Sequence, residues 1–579
     1  MKLDIYTAKN GERHLYIKKS FRNKDGKCTS VNVKKLGTYS ELLKTHDDPI
    51  AWGKTIAEEM TQAEKENKKA VVSVVFDANK VYTRTVSPIF NCGYLYLQKI
   101  YYESGLNKIC KEIEKRHNFE FDLNEILSRL VYGRILFPGS KLNTFEESKT
   151  LLEQPHFEIH DIYRALEVLA EESEYIQNEL YKNSLSVIER NSNVLFYDCT
   201  NFFFESEEAA GIRQYGYSKE HRPNPIIQMG LFMDGNGIPL AFGVFPGNTN
   251  EQTTLRPLEE QILKDFNHSK VIVCTDAGLS SKENRKFNNS LMKKYVTVQS
   301  VKNMKEYREK WLFENSDWYF FKTVNDKKLK FKGDIEKLIN DEAYQKTHRD
   351  FVFFKESWVK DDDGFEERYI ASFSLKYRDY LRNIRSGHIK RAENIVNNGY
   401  SINRNDPKRF VKNIDVTTSG EVAEKQFSIL DTEKIEHEAK YDGYYCIATN
   451  LDDDVSEILS INKRRWEIEE SFRIMKTEFK SRPVYLSRDD RIKAHFLTCF
   501  IALYVYRVLE KKLDDCFTTT EIITYLRQMT LVEISNAGFI PGFPVSDLSE
   551  KLCSVLGLNF SFEFLDVQYI KNLIKISKK

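Results

Sequence analysis

The sequence predicts an α/β protein whose central part is a mixed sheet flanked by helices. An apolar strand begins at Val194, and two further apolar runs bracket a DGNG turn at 234–237, which is a strong hairpin signal. Another apolar run at 270–275 leads into a helix-like segment and then a short strand at 295–299. Three sequential strands followed by a strand–helix–strand unit describe a mixed sheet covered by helices.

The rest of the chain divides around this sheet by hydrophobic periodicity and turn signals. Long amphipathic segments at 125–137 and 161–189 predict a helical block interrupted at 137–140, and a long helix is expected from 455 to about 480. The expected units are a small basic α+β unit (1–75), a helical domain (76–190), the first part of the sheet core (191–302), a largely β insertion (303–440), the second part of the core (441–512) and a C-terminal region suited to dimerisation (513–579).

Composition excludes several classes of protein. The 579 residues are 41% hydrophobic, which is ample for folded cores, and 87 Lys and Arg nearly balance 86 Asp and Glu. Nine cysteines without C-x-x-C spacing favour reduced thiols over disulfides or structural zinc. No signal peptide is evident, and the apolar stretch 494–506 is too short to span a bilayer, so a cytoplasmic protein without a membrane segment is expected.

Positive charge is nevertheless concentrated in two segments. Residues 2–35 hold ten Lys and Arg against three acids, and residues 376–413 hold ten against three. Charge alone is equally consistent with a solvated surface and with a nucleic-acid contact.

Two aspartates follow apolar strands of the predicted sheet. Asp198 ends the run VLFYD and Asp276 ends the run VIVCTD. Either one alone is readily explained as a residue that caps a loop where a strand ends. Two such acids in one sheet raise the expectation of a shared site, because burying a carboxylate costs several kcal/mol without compensation.

A third acid, Glu469, is selected by helix geometry at about 100° per residue. A stripe of apolar residues lies at about −60° to −120° from it: Ile461, Ile468, Phe472, Met475 and Phe479. Four cations lie within about 40° of it: Arg465, Arg473, Lys476 and Lys480. Glu467 and Glu478 are expected to face solvent, so Glu469 is the glutamate beside the buried face.

Four cations around one acid exceed what helix salt bridging requires and suit a phosphate-bearing substrate. Trp466, at about +60° from Glu469, either packs against the insertion or stacks on an unpaired base. Three carboxylates are oxygen ligands that suit Mg²⁺ or Mn²⁺, and two such ions about 4 Å apart would support displacement at phosphorus.

The segment RRWEIEESFRIMK matches a known spacing, Y-x2-R-x3-E-x6-K, at Arg465, Glu469 and Lys476, with Asn462 at the tyrosine position. The chain thereby resembles the DDE transposases of bacterial insertion sequences, in the insertion-sequence-four-type group. Over roughly 80–510, other segments are similar too: VLFYDCTNFFFE, VIVCTDAGLSSKEN, GYSKEHRP, FPGNTNEQTTL, YDGYYCIATN and RPVYLSRDDRIKAHF.

The resemblance implies an RNase H-like catalytic core with a largely β insertion between the second aspartate and the glutamate. It implies metal ligation by Asp198, Asp276 and Glu469, and phosphate contacts by Arg465, Arg473 and Lys476. Lys219 and His221, in SKEHRP, are candidates for DNA contact alongside a structural role. Such enzymes act as dimers on paired ends of double-stranded DNA, nick a strand and attack target DNA with the freed 3′-OH.

The sequence therefore leaves three candidate functions. The first is a Mg²⁺-dependent DNA transposase, and the second is a catalytically silent DNA-binding protein derived from one. The third is a glycosidase with paired carboxylates, which leaves the cations around Glu469 without a role. The DNA transposase is the leading hypothesis.

We expect residues 1–36 and 376–413 to carry much of the DNA affinity. Reversing charges in either segment should weaken binding to the transposon end and flatten its salt dependence, because fewer counterions are released. Binding measured over a series of salt concentrations tests this, and an unchanged slope would show that the segments do not contact DNA.

Overall fold

The computed structural model describes residues 1–8, 11–22, 28–67, 79, 87–266, 271–290, 293–324, 327–361, 363–398, 409–416, 425–534 and 537–579. The chain divides into two compact units, Met1–Thr83 and Arg84–Lys579.

The first unit is a three-stranded antiparallel sheet with a long helix. The second and third strands pair along their length, and residues 23–27 between them lie outside the described residues. Leu15 and Ile17 are fully buried and form the centre of this small core. Its elements are β1 (Lys2–Thr7), β2 (Arg13–Arg22), β3 (Cys28–Thr38), α1 (Tyr39–Leu42) and α2 (Pro49–Asn67).

A helical block opens the second unit, as predicted. The expected break at 137–140 is present, and Ser140 caps the next helix by accepting the amide of Asn143 at 3.1 Å. The amphipathic segment 161–189 contains parts of two helices, which meet at Glu172. The elements are β4 (Ile89–Asn91), α3 (Tyr94–Glu103), α4 (Leu106–Glu114), α5 (Leu123–Leu136), α6 (Lys141–Ser148), α7 (Ile159–Glu171) and α8 (Ser173–Ser184).

The mixed sheet follows with the predicted hairpin and strand–helix–strand unit. Its elements are β5 (Val194–Phe203), β6 (Ile226–Asp234), β7 (Pro239–Pro246), α9 (Glu251–Phe266), β8 (Ile272–Thr275), α10 (Lys282–Ser290) and β9 (Lys294–Gln299). The strands lie in the order β7-β6-β5-β8-β9. The pairs β5–β6 and β6–β7 are antiparallel, whereas β5–β8 and β8–β9 are parallel.

Four strands of the expected insertion join the core sheet, and two others pair with each other in a separate two-stranded sheet. Its elements are α11 (Glu306–Phe313), β10 (Tyr319–Val324), β11 (Lys327–Lys332), α12 (Ile335–Asn340), α13 (Glu342–His348), β12 (Phe353–Lys360), β13 (Glu366–Phe373), α14 (Leu375–Asn398), β14 (Val411–Val416), β15 (Lys425–Leu430), α15 (Thr432–Ala439) and, after it, β16 (Tyr444–Thr449). Strands β10 to β13 continue the core sheet beyond β9 in the order β9-β16-β13-β12-β10-β11. The segment mixes helices and strands, so the expectation of a largely β insertion is wrong.

Acids outside the basic segment 376–413 neutralise part of its charge. Arg385 pairs with Asp442, and Lys376 lies 2.8 Å from Asp350. These pairs join α14 to other segments of the same chain. The net charge of residues 376–413 therefore overstates the positive field that they present.

The C-terminal elements pack against the core sheet and the helical block. They are α16 (Val455–Lys463), α17 (Trp466–Thr477), α18 (Asp489–Lys512), α19 (Thr519–Gln528), β17 (Thr530–Ile534), β18 (Gly538–Pro541), α20 (Asp547–Leu556), β19 (Leu565–Asp566) and α21 (Val567–Ser577). Strand β17 pairs with β4, and Asn91 donates to the carbonyl of Leu526 at 2.9 Å. The region 513–579 is therefore joined to residues more than 400 positions earlier in the chain.

Helix α18 contains the apolar stretch 494–506, whose side chains are buried. It is the one helix in the described part of the chain that is long and apolar enough to cross a membrane. Because 94% of its apolar window is buried inside the protein, its environment is that of a core helix.

The close approach of Gly93 to α19 gives a test of this packing. A Cβ at Gly93 would lie 2.1 Å from the carbonyl oxygen of Leu526, so Gly93→Ala should destabilise the protein by about 1–3 kcal/mol. Gly387→Ala is the matched control: nothing lies within 4 Å of its Cβ, and in α14 alanine should add up to about 1 kcal/mol. Thermal unfolding measures both, and equal melting temperatures would contradict this packing.

Candidate active site

Asp198 and Asp276 lie side by side because of the parallel register of β5 and β8. Tyr197 is opposite Thr275, and each of these residues is followed by one of the aspartates. Neighbouring strands are about 4.8 Å apart, so the two acids emerge next to each other at one edge of the pair. Asp276 follows its strand as predicted. Asp198, predicted to end a strand, instead lies inside β5, which continues to Phe203.

This placement is electrostatically costly without a cation. Burial, followed by the charge of Asp276, raises the pKa of Asp198 to about 7, while Lys219 and Arg465 act in the opposite direction. Asp198 accepts the amide of Cys199 at 2.7 Å, and Asp276 accepts that of Leu279 at 3.0 Å. Two adjacent carboxylates that repel each other form a donor set that fits a divalent cation.

Glu469 is connected to the aspartates through Arg465. The Arg465 guanidinium lies 2.9 Å from the Glu469 carboxylate, whose side chain is 55% exposed. Burial acts to lower the pKa of Arg465, but its neighbours outweigh burial and raise it. The neighbours with this effect, largest first, are Glu469, Tyr445, Asp198 and Asp276.

The three acids are not assembled as a preformed metal cluster. Across the described residues, no group of three His, Cys, Asp or Glu side chains is placed to hold a metal ion. The Glu469 carboxylate instead forms an ion pair with Arg465.

The helix that carries Glu469 differs from the prediction in two ways. The expected helix over 455–480 is broken, so that α16 ends at Lys463 and α17 begins at Trp466. Glu467, expected to face solvent, is 6% exposed and lies 3.3 Å from Arg464. The predicted apolar stripe is nevertheless confirmed, since Ile468 and Met475 are fully buried.

The burial of Glu467 has a physical cause: α17 packs on two sides. Beyond the stripe that faces the sheet, a second face meets α18, where Arg507 donates to the Glu467 carbonyl at 2.9 Å and to Ser471 Oγ at 3.2 Å. Ile474, at about 140° from Glu469, is fully buried on this second face. The position of the apolar Ile474 on the helix was the feature of the sequence that could have predicted this second buried face.

Two predicted cations lie beside Asp198. Lys476 donates to Thr200 Oγ1 at 2.6 Å, and burial, followed by the charge of Lys219, lowers its pKa to about 8. Lys219 donates to the Cys199 carbonyl at 2.6 Å. Burial acts to lower the pKa of Lys219, but the charges of Asp198 and Glu251 outweigh burial, so the pKa is raised.

Three other predicted residues are not brought to the acids. Arg473 donates to Glu470 at 2.7 Å. Trp466 is 56% exposed at the start of α17. His221 has a left-handed backbone with φ 55° and its ring lies 6.2 Å from that of Tyr217.

Two glutamates that were not singled out from the sequence lie beside Lys219 and Lys476. Glu251 lies 3.0 Å from Lys219, and Glu220 pairs with Arg482 and lies 3.9 Å from Lys476. Both acids fall within segments already similar to the transposases, FPGNTNEQTTL and GYSKEHRP. That similarity was the one signal for them.

The loop that carries Lys219 is fixed by a close backbone approach. A Cβ on Gly216 would lie 1.9 Å from the carbonyl oxygen of Gly247. Gln214 and Ile226 exchange two backbone hydrogen bonds, at 3.1 and 2.9 Å. Glycine at 216 is therefore required for the loop to reach β5.

A family model described as the transposase DDE domain matches residues 190–505, which span β5, β8 and α17. The chain belongs to the DDE transposase domain family. A search of curated proteins finds no match.

Two solved structures of transposases are similar over parts of this DDE transposase. A piggyBac transposase synaptic complex with hairpin DNA is 8% identical, with 85% of this chain and 86% of that chain covered and a TM-score of 0.36. A Mos1 transposase paired-end complex with left transposon end is 12% identical, with 44% and 70% covered and a TM-score of 0.14.

The raised pKa of Asp198 predicts how this DDE transposase responds to pH. In the folded state the carboxyl stays protonated to higher pH than in the unfolded chain, so its ionisation destabilises the fold as pH rises from about 4 to 7. Without divalent metal, Asp198→Asn should therefore be more stable than the wild type at pH 8, by about 1–4 kcal/mol, and similar to it near pH 4.

Thermal unfolding in chelator at both pH values measures the difference. The exposed Asp452 offers a matched control, because Asp452→Asn should behave as the wild type at both. An Asp198→Asn variant less stable than the wild type at pH 8 would show that the carboxylate is compensated within the protein.

Proposed function

We propose that this chain is a metal-dependent DNA transposase that cleaves at transposon ends and transfers the resulting 3′-OH into target DNA. The observation that carries the proposal is the side-by-side position of Asp198 and Asp276, which directly follow the paired residues Tyr197 and Thr275 of two adjacent parallel strands. Lys219, Lys476 and Arg465 surround the pair with donors suited to phosphate oxygens.

The strand order supports an RNase H-like core. Strands β7, β6 and β5 form an antiparallel meander, and β8 and β9 extend it in parallel on the other side of β5. Asp198 lies in the middle strand β5 of these five, and Asp276 directly follows the adjacent strand β8.

Asp198, Asp276 and Glu469 would hold Mg²⁺ or Mn²⁺, with two ions per site. When bound, the ions would supply activation of the attacking oxygen and stabilisation of the leaving one. The repulsion between the two aspartates supports cation binding there. Glu469 is free enough to join them, since its side chain is 55% exposed.

The protein's own groups would bind and orient the strand. Arg465 now pairs with Glu469 at 2.9 Å, and a DNA phosphate could take the place of that carboxylate. Lys476 and Lys219 reach the same region from α17 and from the glycine-fixed loop. The exchange would free Glu469 as the strand docks, which would couple DNA binding to completion of the site.

We further propose that the partners are double-stranded DNA, as terminal inverted repeats and as target, and a second copy of the chain on paired ends. These proposals, the insertion-sequence-four-type grouping and a bacterial cytoplasmic, nucleoid-associated location rest on the resemblance carried by Arg465, Glu469 and Lys476. Trp466 and His221 are exposed, and Arg473 is half-exposed, so DNA could reach all three.

The ion pair between Arg465 and Glu469 also favours a second candidate function. A silent DNA-binding protein could keep this pair permanently, with no metal site formed. The two candidates differ in whether divalent metal supports strand cleavage.

Asp276→Asn should abolish cleavage and leave binding to DNA ends intact. Loss of one metal-binding carboxylate removes several kcal/mol of stabilisation from the transition state, so nicking should fall at least about 100-fold. The assay is Mg²⁺-dependent nicking of a duplex that carries the element's terminal inverted repeat, with end binding measured in parallel and Asp452→Asn as the control.

The two measurements together distinguish the candidates. Cleavage that survives in Asp276→Asn contradicts the assigned role. Tight end binding without metal-dependent nicking by the wild type favours the silent protein, and sugar turnover without metal would favour the glycosidase.

A further inference from the structure

Tyr445 lies beside the candidate active site, on β16. Its hydroxyl oxygen accepts a hydrogen bond from the side-chain amide of Asn462 at 2.9 Å. Its ring meets that of Tyr377 edge-on, with centroids 6.2 Å apart. These contacts hold the ring while the hydroxyl lies next to the residue that occupies the tyrosine position of the transposase signature.

The proton of this hydroxyl has no acceptor among the residues that the structure describes. Because the Tyr445 oxygen accepts from Asn462, its own O–H remains available to donate. Burial raises the pKa of Tyr445 to about 12, so the hydroxyl is a donor at neutral pH. The Asn462 carbonyl oxygen is itself buried without a hydrogen-bond partner. The pair is therefore incomplete on its own, and an added group could complete it.

The surroundings of Tyr445 indicate what that group would be. Arg465 interacts electrostatically with Tyr445 and with the three acids, so the hydroxyl lies in the field of the guanidinium that faces the site. Tyr445 also lines a cavity of about 300 Å³ that reaches Ala277, the residue after Asp276. The lysine and arginine side chains of this cavity are already paired, Arg385 with Asp442, and Arg409 and Lys302 with Glu438.

We propose that the Tyr445 hydroxyl donates a hydrogen bond to a backbone phosphate of the DNA end and so helps to position the strand for cleavage. This inference rests on the proposed transposase function. In the transposase signature the tyrosine hydroxyl is at position 462, where this chain has asparagine. Here the hydroxyl would instead come from Tyr445 on strand β16. Asn462 orients that hydroxyl by donating to its oxygen.

Tyr445→Phe tests the proposal because it removes only the hydroxyl. Loss of a hydrogen bond to a charged phosphate should lower Mg²⁺-dependent cleavage of the terminal-repeat duplex about 10- to 100-fold. Tyr444→Phe is the matched control. Tyr444 is the adjacent residue on the same strand, is buried, and packs on Trp318 and Phe373 on the opposite face, so cleavage should be unchanged.

A rescue variant separates a substrate contact from a structural effect. Asn462→Tyr in the Tyr445→Phe background returns a hydroxyl to the signature position and should recover most of the lost cleavage. Melting temperatures of Tyr445→Phe and the wild type should agree within a few degrees. Full activity of Tyr445→Phe, or equal loss in Tyr444→Phe, would overturn the proposal.

Binding gives a readout that does not require cleavage. Phosphates near the transposon end can be replaced one at a time by uncharged methylphosphonate. At one position the wild type should lose affinity relative to unmodified DNA, whereas Tyr445→Phe, which already lacks the contact, should lose little further affinity. If the wild type binds DNA but does not cut it, the proposed cleavage activity is wrong. The comparison of affinity losses at each phosphate still tests whether Tyr445 contacts one of them. A wild type that neither binds nor cuts contradicts both, and the absence of any coupled phosphate contradicts the role of Tyr445 alone.

Discussion

The repulsion between two carboxylates that the sheet forces together is the constraint on which the site depends. Backbone hydrogen bonding fixes the register of β5 and β8, so Asp198 cannot move away from Asp276 without breaking the ladder. The surrounding cations reduce this cost without removing it, since the pKa of Asp198 stays well above its usual value. Additional positive charge beside the pair would relieve this repulsion, which is the physical basis of the proposed metal site.

The helix that bears Glu469 is held as firmly as the strands, but by different means. Arg507, from the central buried helix α18, bonds the Glu467 carbonyl and Ser471, and so fixes the rotation of α17 about its axis. That rotation directs Glu467 into the core and Glu469 toward Arg465. The backbone of α17 is thus anchored while the Glu469 side chain is 55% exposed, which would suit the proposed change of partner from Arg465 to a metal ion.

Local pattern predicted the parts of the molecule that depend on local sequence. The hairpin after β6, the aspartate after β8 and the apolar stripe of α17 all follow from turn residues and periodicity. The burial of Glu467 did not, because it depends on α18, which lies further along the chain and covers a second face of the helix. The course of β10 to β13 was missed for a similar reason, since strand pairing across a long separation leaves no periodic signal. At the site, sequence identified the acids and two lysines, whereas the glutamates that pair with those lysines depended on how distant loops meet.

The continuity of the ten-stranded sheet has a consequence for how such a protein can change over time. Strand β16 is hydrogen-bonded to β9 on one side and to β13 on the other, so residues 303–440 cannot be removed without leaving a buried strand with an open edge. A shorter descendant would need to keep β13 or cover that edge by another means. Lengthening at the outer strands β10 and β11 carries no such penalty, so variation in size is expected to accumulate at the far rim, several strands away from the acids.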